Sequence, residues 1–302
     1  MQNLRYFLRP FVRYLIPLLT LLFCTPANAA ITVRDDDDNL VTLQKPAQRI
    51  ISMAPHATEM IFAAGGGARL VGAVSYSDYP EAAKKIPRIG DNQQIDLERV
   101  ISLKPDLIVV WLHGSSERQL ATLRKFGIPL FHSEPKKLDN IADSLLRLGQ
   151  LMGTENVAQP AAMELRQKLT ALTAKYANRP KVRMFYQVWD KPLYTLNGKH
   201  IVSDAMRVCG GENIFADMKV TAPVVSIENV LQKNPEVIFG TNESSTSGVN
   251  MWRQYTMLTA VRNDNLFTLE SDLLSRSGPR MIAGATALCE KLELARQHRK
   301  HP

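Results

Sequence analysis

Only three of the 302 residues are cysteine and three are tryptophan. Beyond the first thirty residues no stretch is apolar for long enough to cross a bilayer. The few cysteines exclude a small disulfide-knitted scaffold, and the missing apolar runs exclude a polytopic membrane protein. Charge of one sign is also missing. Lys+Arg number 37 against 29 Asp+Glu, a net +8. Arg5, Arg9 and Arg13 fall in the first thirty residues with no acid, which leaves 34 basic against 29 acidic residues in the rest. No basic stripe interleaved with aromatics appears, so no nucleic-acid partner is expected. Catalytic signatures are equally scarce: there is no G-x-S-x-G, H-E-x-x-H or C-x-x-C. The histidines are His56, His113, His132, His200, His298 and His301, and only the last two fall at ligand spacing, in what reads as a frayed tail. The Asp35–Asp38 run lacks the spaced ligands and glycine of a calcium loop and reads as a solvated turn. No protein-held metal is expected.

What is present begins with an address. Three arginines precede an apolar run from Tyr14 to Cys24, then Pro26 and Ala27-Asn28-Ala29. This is the pattern of a secretory signal peptide cleaved near Ala29 or Ala30. Cys24 follows bulky Phe23, which argues against a lipoprotein. Cleavage leaves Cys209 and Cys289 in an oxidising compartment, as one disulfide or as two buried thiols.

Organisation is clearest in two similar segments, Ile95–Val109 and Val225–Phe239, offset by 130 residues. Each reads as an N-cap (Asp96 or Ser226), a short helix, a Pro-acid turn and a buried strand. Two α/β lobes of similar build follow from this. Arg49–Ala54, the helix opened by Pro55 and stopped at Gly65-Gly66-Gly67, and the strand Leu70–Val74 begin a parallel layer. The glycines follow that helix, so they do not form a phosphate loop. Leu165, Leu169, Leu172 and Tyr176 recur at helical spacing, and Pro160 suits an early helical position. A helix of about 18–22 residues would be a stiff strut of roughly 27–33 Å. The division is therefore 1–30 signal peptide, 31–153 first lobe, 154–178 linking helix and 179–302 second lobe. Pro279 opens a last helix, and Arg296, Arg299 and Lys300 make a basic tail.

Chemistry-bearing residues gather at strand ends. Tyr76 and Tyr79 follow the strand Leu70–Val74, Trp111 ends Leu107–Val110, and Tyr186, Trp189 and Tyr194 follow Val182–Phe185. Exposed aromatics on one sheet edge suit a broad, partly apolar ligand. His56, at another strand end, is open to metal ligation or to capping and packing. Glu98 and Glu228 occupy equivalent first-turn positions of the matched helices. They serve the helix dipole, or they offer one carboxylate per lobe to arginines of a partner.

Arg49-Ile50-Ile51-Ser52-Met53-Ala54-Pro55, Thr58-Glu59, Tyr76-Ser77-Asp78-Tyr79-Pro80, Leu97-Glu98, Lys104-Pro105-Asp106-Leu107 and Cys209-Gly210-Gly211-Glu212-Asn213-Ile214-Phe215 together resemble the periplasmic cobalamin-binding proteins. These are helical-backbone (class III) substrate-binding proteins of ABC transporters, related to the haem and ferric-siderophore receptors. The resemblance runs over nearly all of Ile50–Leu292. It implies two Rossmann-like α/β lobes joined by one long helix, with ligand in the cleft. It places permease-docking glutamates on Glu98 and Glu228. Ligand contacts fall on Tyr76, Trp111, Tyr194, Asp272 and Arg276, and the disulfide falls on Cys209 and Cys289. Two further aromatic positions of the family fall on Asn92 and Ala222, so two ring faces are missing. The expected protein is a periplasmic carrier, not an enzyme, and monomeric when free. It would pass cobalamin or a related corrinoid to the permease of an ABC importer. The cobalt would arrive coordinated, so the corrinoid is cargo and no cofactor is needed. Haem or a ferric siderophore is the alternative ligand, with Tyr76, Tyr79 or His56 at the iron of a haem. An exported metal-dependent hydrolase is the alternative class.

Overall fold

The computed structural model describes residues 30–91, 94–111, 113–241 and 248–299. The leader other than Ala30, together with Asn92, Lys300 and His301, lies outside the described residues.

The first lobe opens with an antiparallel hairpin of β1 (Ile31–Arg34) and β2 (Leu40–Leu43). The Asp35 carboxylate accepts the backbone N–H groups of Asp37 and Asn39, both at 2.9 Å. The acidic run is thus a side-chain-closed turn. A parallel sheet follows: β3 (Ile50–Ser52), β4 (Leu70–Ala73), β5 (Leu107–Val110) and β6 (Leu130–His132), in the order β4-β3-β5-β6. Helices α1 (Pro55–Ala63), α2 (Leu97–Ser102), α3 (Glu117–Lys125) and α4 (Leu138–Met152) belong to the same lobe. Every residue of β3 and β5 is buried, as strands covered on both faces require, which explains their unbroken apolar runs. Helix α1 stops where the chain reaches Gly65 at φ +87°, and a Cβ there would meet that of Val157 at 2.9 Å. Glycine answers both demands.

Helix α5 (Glu155–Tyr176) leads from the first sheet to the second. Its 22 residues span about 33 Å. Pro160 is its sixth residue, deeper than the early position expected from sequence. Packing of the α5 face carrying Ala158, Ala162 and Leu165 holds the helix through the missing N–H.

The second lobe contains β7 (Val182–Gln187), the antiparallel pair β8 (Trp189–Asp190) and β9 (Leu193–Tyr194), α6 (Ile201–Val208) and β10 (Gly211–Asn213). It continues with α7 (Ile227–Lys233), β11 (Val237–Thr241), α8 (Thr259–Arg262), β12 (Leu266–Leu269), α9 (Ser271–Ser275) and α10 (Met281–Gln297). Its parallel sheet runs β10-β7-β11-β12. Counted within each sheet, both lobes have the strand order 2-1-3-4. The matched sequence segments are α2–β5 and α7–β11, the third strand of each sheet with its preceding helix. Asp96 caps α2 by accepting from Arg99 N–H at 2.9 Å, and Ser226 caps α7 by accepting from Asn229 N–H at 3.2 Å.

Cys209, at the end of α6, is disulfide-bonded to Cys289 of α10. Leu288 and Leu292 of α10 are fully buried, each contributing about 1.5–3 kcal/mol of transfer free energy. The basic tail is tied down as far as Arg299, which differs from the frayed end expected. Arg296 donates to the carbonyls of Pro180 and Cys209 at 2.9 and 2.7 Å, and Arg299 pairs with Glu236 at 2.8 Å. His298 Nδ1 meets Asn265 Oδ1 at 2.8 Å. A sequence-local reading sees only a charged terminus, because Pro180, Cys209, Glu236 and Asn265 all lie more than thirty residues upstream.

Candidate functional site

In a parallel α/β sheet, ligands collect at the C-terminal ends of the strands, where the loops diverge. Both sheets present such ends to one cleft of about 810 Å³. That lies toward the upper end of the about 300–1,000 Å³ usual for small-molecule sites. Pro55 and His56 follow β3, Tyr76 follows β4, Trp111 follows β5 and Lys136 follows β6. From the second lobe, Trp189 follows β7, and Asp272 and Arg276 follow β12. A second concavity of about 1060 Å³ lies among α1, α5 and α10, away from the strand ends.

Tyr76 is the most exposed large side chain of the cleft, at 77%. Its backbone is left-handed, φ +63°, a conformation that costs a tyrosine roughly 1–2 kcal/mol. Its neighbours hold it there. Ser75 N–H donates to the Gly90 carbonyl at 2.8 Å, and the buried Ser77 hydroxyl bonds to Thr58 at 3.0 Å. A ring kept in water by a strained backbone is placed for contact with something outside the protein.

Trp111 meets the His56 ring edge-on, centroids 6.1 Å apart. His56 is buried, and Nε2 bonds to the Ser133 carbonyl at 3.0 Å. Burial lowers its pKa to about 4, so the ring is neutral and Nε2 carries the donated proton. His56 thus has its donor engaged and packs against Trp111. Gly114 leaves room for the indole, since a Cβ there would come within 1.8 Å of it.

Trp189 is 44% exposed and lines the cleft from the second lobe. Tyr194 pairs with Trp189 across the β8–β9 ladder and is not among the cleft-lining residues. Tyr186 is buried in β7, not exposed as its strand-end position suggested; its phenol loses water there and its pKa rises. Met184 to Gln187 of this central strand are all buried, so the exposed aromatic position comes only after β7, at Trp189. Tyr79 lies under the Arg280 guanidinium, 4.1 Å from ring centroid to Cζ, and lines the second concavity. Ala222 is described and presents no ring.

Asp272 and Arg276 enter the cleft as part of a charge cluster across the lobes. Arg276 contacts Asp272 at 2.9 Å, Asp78 at 2.6 Å and Glu59 at 3.3 Å. Arg280 grips both oxygens of Glu59, at 3.0 and 2.6 Å. Glu59 and Asp78 come from the first lobe and the arginines from the second. Burial pushes the Asp78 carboxyl up, but the hydrogen bond and charge of Arg276 outweigh it and leave its pKa below the ordinary value. Asp272 and Asp78 thereby hold the Arg276 fork at the cleft wall.

Glu98 and Glu228 lie outside the cleft. Each is the second residue of its helix, exposed, one on each lobe. The Ser226 hydroxyl bonds the Glu228 carboxylate and lowers its pKa. Helices preceding parallel strands start on the strand-end side of the sheet. The two carboxylates therefore share the cleft side of the molecule.

Among the described residues, no group of three or more His, Cys, Asp or Glu is placed to hold a metal ion. No described helix is long and apolar enough to cross a membrane.

A family profile described as periplasmic binding protein matches residues 50–273. The chain belongs to the periplasmic binding protein family. Within it, the chain is 42% identical over 279 residues to a vitamin B12-binding protein of Vibrio cholerae serotype O1, covering 92% of this chain and 96% of that one. The crystal structure of the periplasmic vitamin B12-binding protein of Vibrio cholerae superposes with a TM-score of 0.77 at 42% identity, covering 83% of this chain and 99% of that one. The apo haem-binding protein of Roseiflexus shares the fold at a TM-score of 0.72 and 24% identity, covering 82% and 99%. The two-lobed α/β architecture is thus that of the family, whose members bind solutes and are not enzymes. Sequence reasoning left several members of the site unassigned, Trp189, Glu59 and Arg280 among them. Trp189 was legible as a strand-end aromatic. Glu59 and Arg280 form their pair across 221 residues, and no local pattern marks it.

Proposed function

We propose that this protein captures cobalamin or a close corrinoid in the cleft between its lobes and delivers it to an ABC importer from the periplasm. Residues 1–30 supply the export signal, cleaved near Ala29 or Ala30. One observation carries the ligand class: three aromatic side chains, Tyr76, Trp111 and Trp189, converge on one cleft from both lobes. A broad macrocycle offers apolar faces to such rings. Its amide-bearing rim offers donors and acceptors to Arg276 and Asp272. The relatives named vitamin B12-binding proteins, alike over nearly the whole chain, support the same ligand. Tyr194 flanks Trp189 through the β8–β9 pairing and supports that ring.

The test is calorimetric titration of the mature protein with cyanocobalamin, with hemin in parallel. One-to-one cobalamin binding is expected. Tyr76→Ala/Trp111→Ala should weaken it about 30- to 150-fold, since two aromatic contacts and their buried area are worth roughly 2–3 kcal/mol. Tight hemin binding without cobalamin binding would replace the reading. Of the three iron ligands considered for haem, Tyr76 and His56 line the cleft, whereas Tyr79 lies under Arg280 and lines the second concavity.

Delivery rests on Glu98 and Glu228, which would dock on arginines of a permease with two related halves. Glu98→Arg and Glu228→Arg should leave corrinoid affinity unchanged. Uptake into vesicles carrying the cognate importer should fall about tenfold or more, as expected when a charge pair becomes a like-charge clash. Unchanged uptake would remove that residue from the docking surface.

A further inference from the structure

The charged lining of the cleft does not balance. Its acids are Glu134 and Asp272. Glu134 bonds to the His113 ring, and Asp272 is paired with Arg276. Two ammonium groups remain, Lys136 of the first lobe and Lys199 of the second. Among the described residues, neither has a carboxylate within ion-pair distance. They sit on elements that touch. The loop carrying Lys136 runs into α4, where Leu138 N–H donates to Asp204 Oδ2 of α6 at 2.8 Å; Lys199 lies two residues before α6. Asp204, the acid on that helix, is occupied by this bond and by Arg207 at 2.9 Å.

His200 adds a donor without adding charge. Its Nδ1 accepts Val202 N–H at 3.2 Å, which leaves the proton on Nε2. Burial lowers its pKa to about 4, so it stays neutral at working pH. It too lines the cleft. Two unpaired cations and a neutral N–H, contributed by both lobes to one cleft on elements that touch, fit a localised anion with several acceptor oxygens.

Cobalamin carries one such group. Its nucleotide tail is joined through a phosphodiester that is ionised at neutral pH, whereas its corrin rim carries neutral amides. We propose that Lys136, Lys199 and His200 form a subsite for the phosphodiester of the nucleotide tail. The subsite makes the cleft discriminate complete corrinoids from tail-less ones. It rests on the cobalamin reading and deepens it. The aromatic residues hold the macrocycle that both ligands share, and the lysines read the part that only one of them has.

The experiment is calorimetry of the full mature protein with cyanocobalamin and with dicyanocobinamide, which lacks the nucleotide and its phosphate. Wild type and Lys136→Gln/Lys199→Gln are compared at low and high salt. Both lysines are exposed, so the variant should fold and melt as wild type does. The expected result is about a tenfold loss of cobalamin affinity at low salt, a smaller loss at high salt, and unchanged cobinamide affinity. Equal losses on both ligands, or no loss on either, would overturn the subsite and leave the cobalamin reading standing. Failure of folded wild-type protein to bind either corrinoid would overturn that reading, and the subsite with it.

Discussion

Replacing Glu59 by alanine is expected to cost about 3–5 kcal/mol of stability, because it removes one partner of a buried ion pair and strands the other. The Glu59 side chain is only 2% exposed and those of Arg276 and Arg280 are 11% and 19%. Its two oxygens take Arg280 in a bidentate grip, a geometry in which charge and direction act together. With the carboxylate gone, Arg280 keeps only Asp272, at 3.5 Å, and the ring of Tyr79. Arg276 keeps Asp78 and Asp272 but loses the contact nearest the floor of the cleft. Two effects should separate in measurement. Urea unfolding should show the midpoint falling with little change in slope, because the folded surface is almost the same. Ligand titration of the folded variant should show weaker binding, because Arg276 is no longer held from behind. Glu59→Gln keeps the shape and removes the charge, so it should fall between. A loss under about 1 kcal/mol in Glu59→Ala would mean that the cluster behaves as an exposed pair.

The Glu59 cluster also marks the limit of what the residues alone disclose. The lobes were legible because each carries the same cap, short helix and buried strand, and those signals are local. The strut was legible because helical spacing is local. Strand order was not: 2-1-3-4 depends on which edges meet after the crossovers, and nothing in β3 or β7 names its neighbours. The cleft was half legible. Strand-end aromatics pointed to it, but folding separated them: Tyr186 is in the core, Tyr79 is under an arginine, and Tyr194 pairs with Trp189 outside the cleft lining. His56 was open to metal ligation or to capping and packing, and only the carbonyl of Ser133, 77 residues away, shows where its donor goes. Charge imbalance in the cleft was invisible for the same reason. The net charge of the whole chain does not say which lysines go unpaired; only the folded lining leaves Lys136 and Lys199 without a carboxylate among the described residues.

Loss of the Cys209–Cys289 bridge should produce an effect of similar size through the unfolded chain. The cysteines are 80 residues apart. In the chain-entropy model, opening a loop of that length returns roughly 4–5 kcal/mol of freedom to the denatured ensemble. The loop holds β10, α7, β11, β12 and α9, including Asp272 and Arg276, so the crosslink restrains most of the second lobe. Both cysteines are fully buried, in the core between α6 and α10. Reductant should therefore act slowly on the native protein and quickly once it unfolds. Cys209→Ala/Cys289→Ala should lower the unfolding free energy by that amount and make the melting temperature insensitive to dithiothreitol, whereas the wild type should lose stability when unfolded in its presence. Affinity for ligand in the folded double variant should stay near wild type, because neither sulfur lines the cleft. A variant as stable as wild type would show that α10, through its buried leucines and the arginine ties at Arg296 and Arg299, already restrains the lobe without the crosslink.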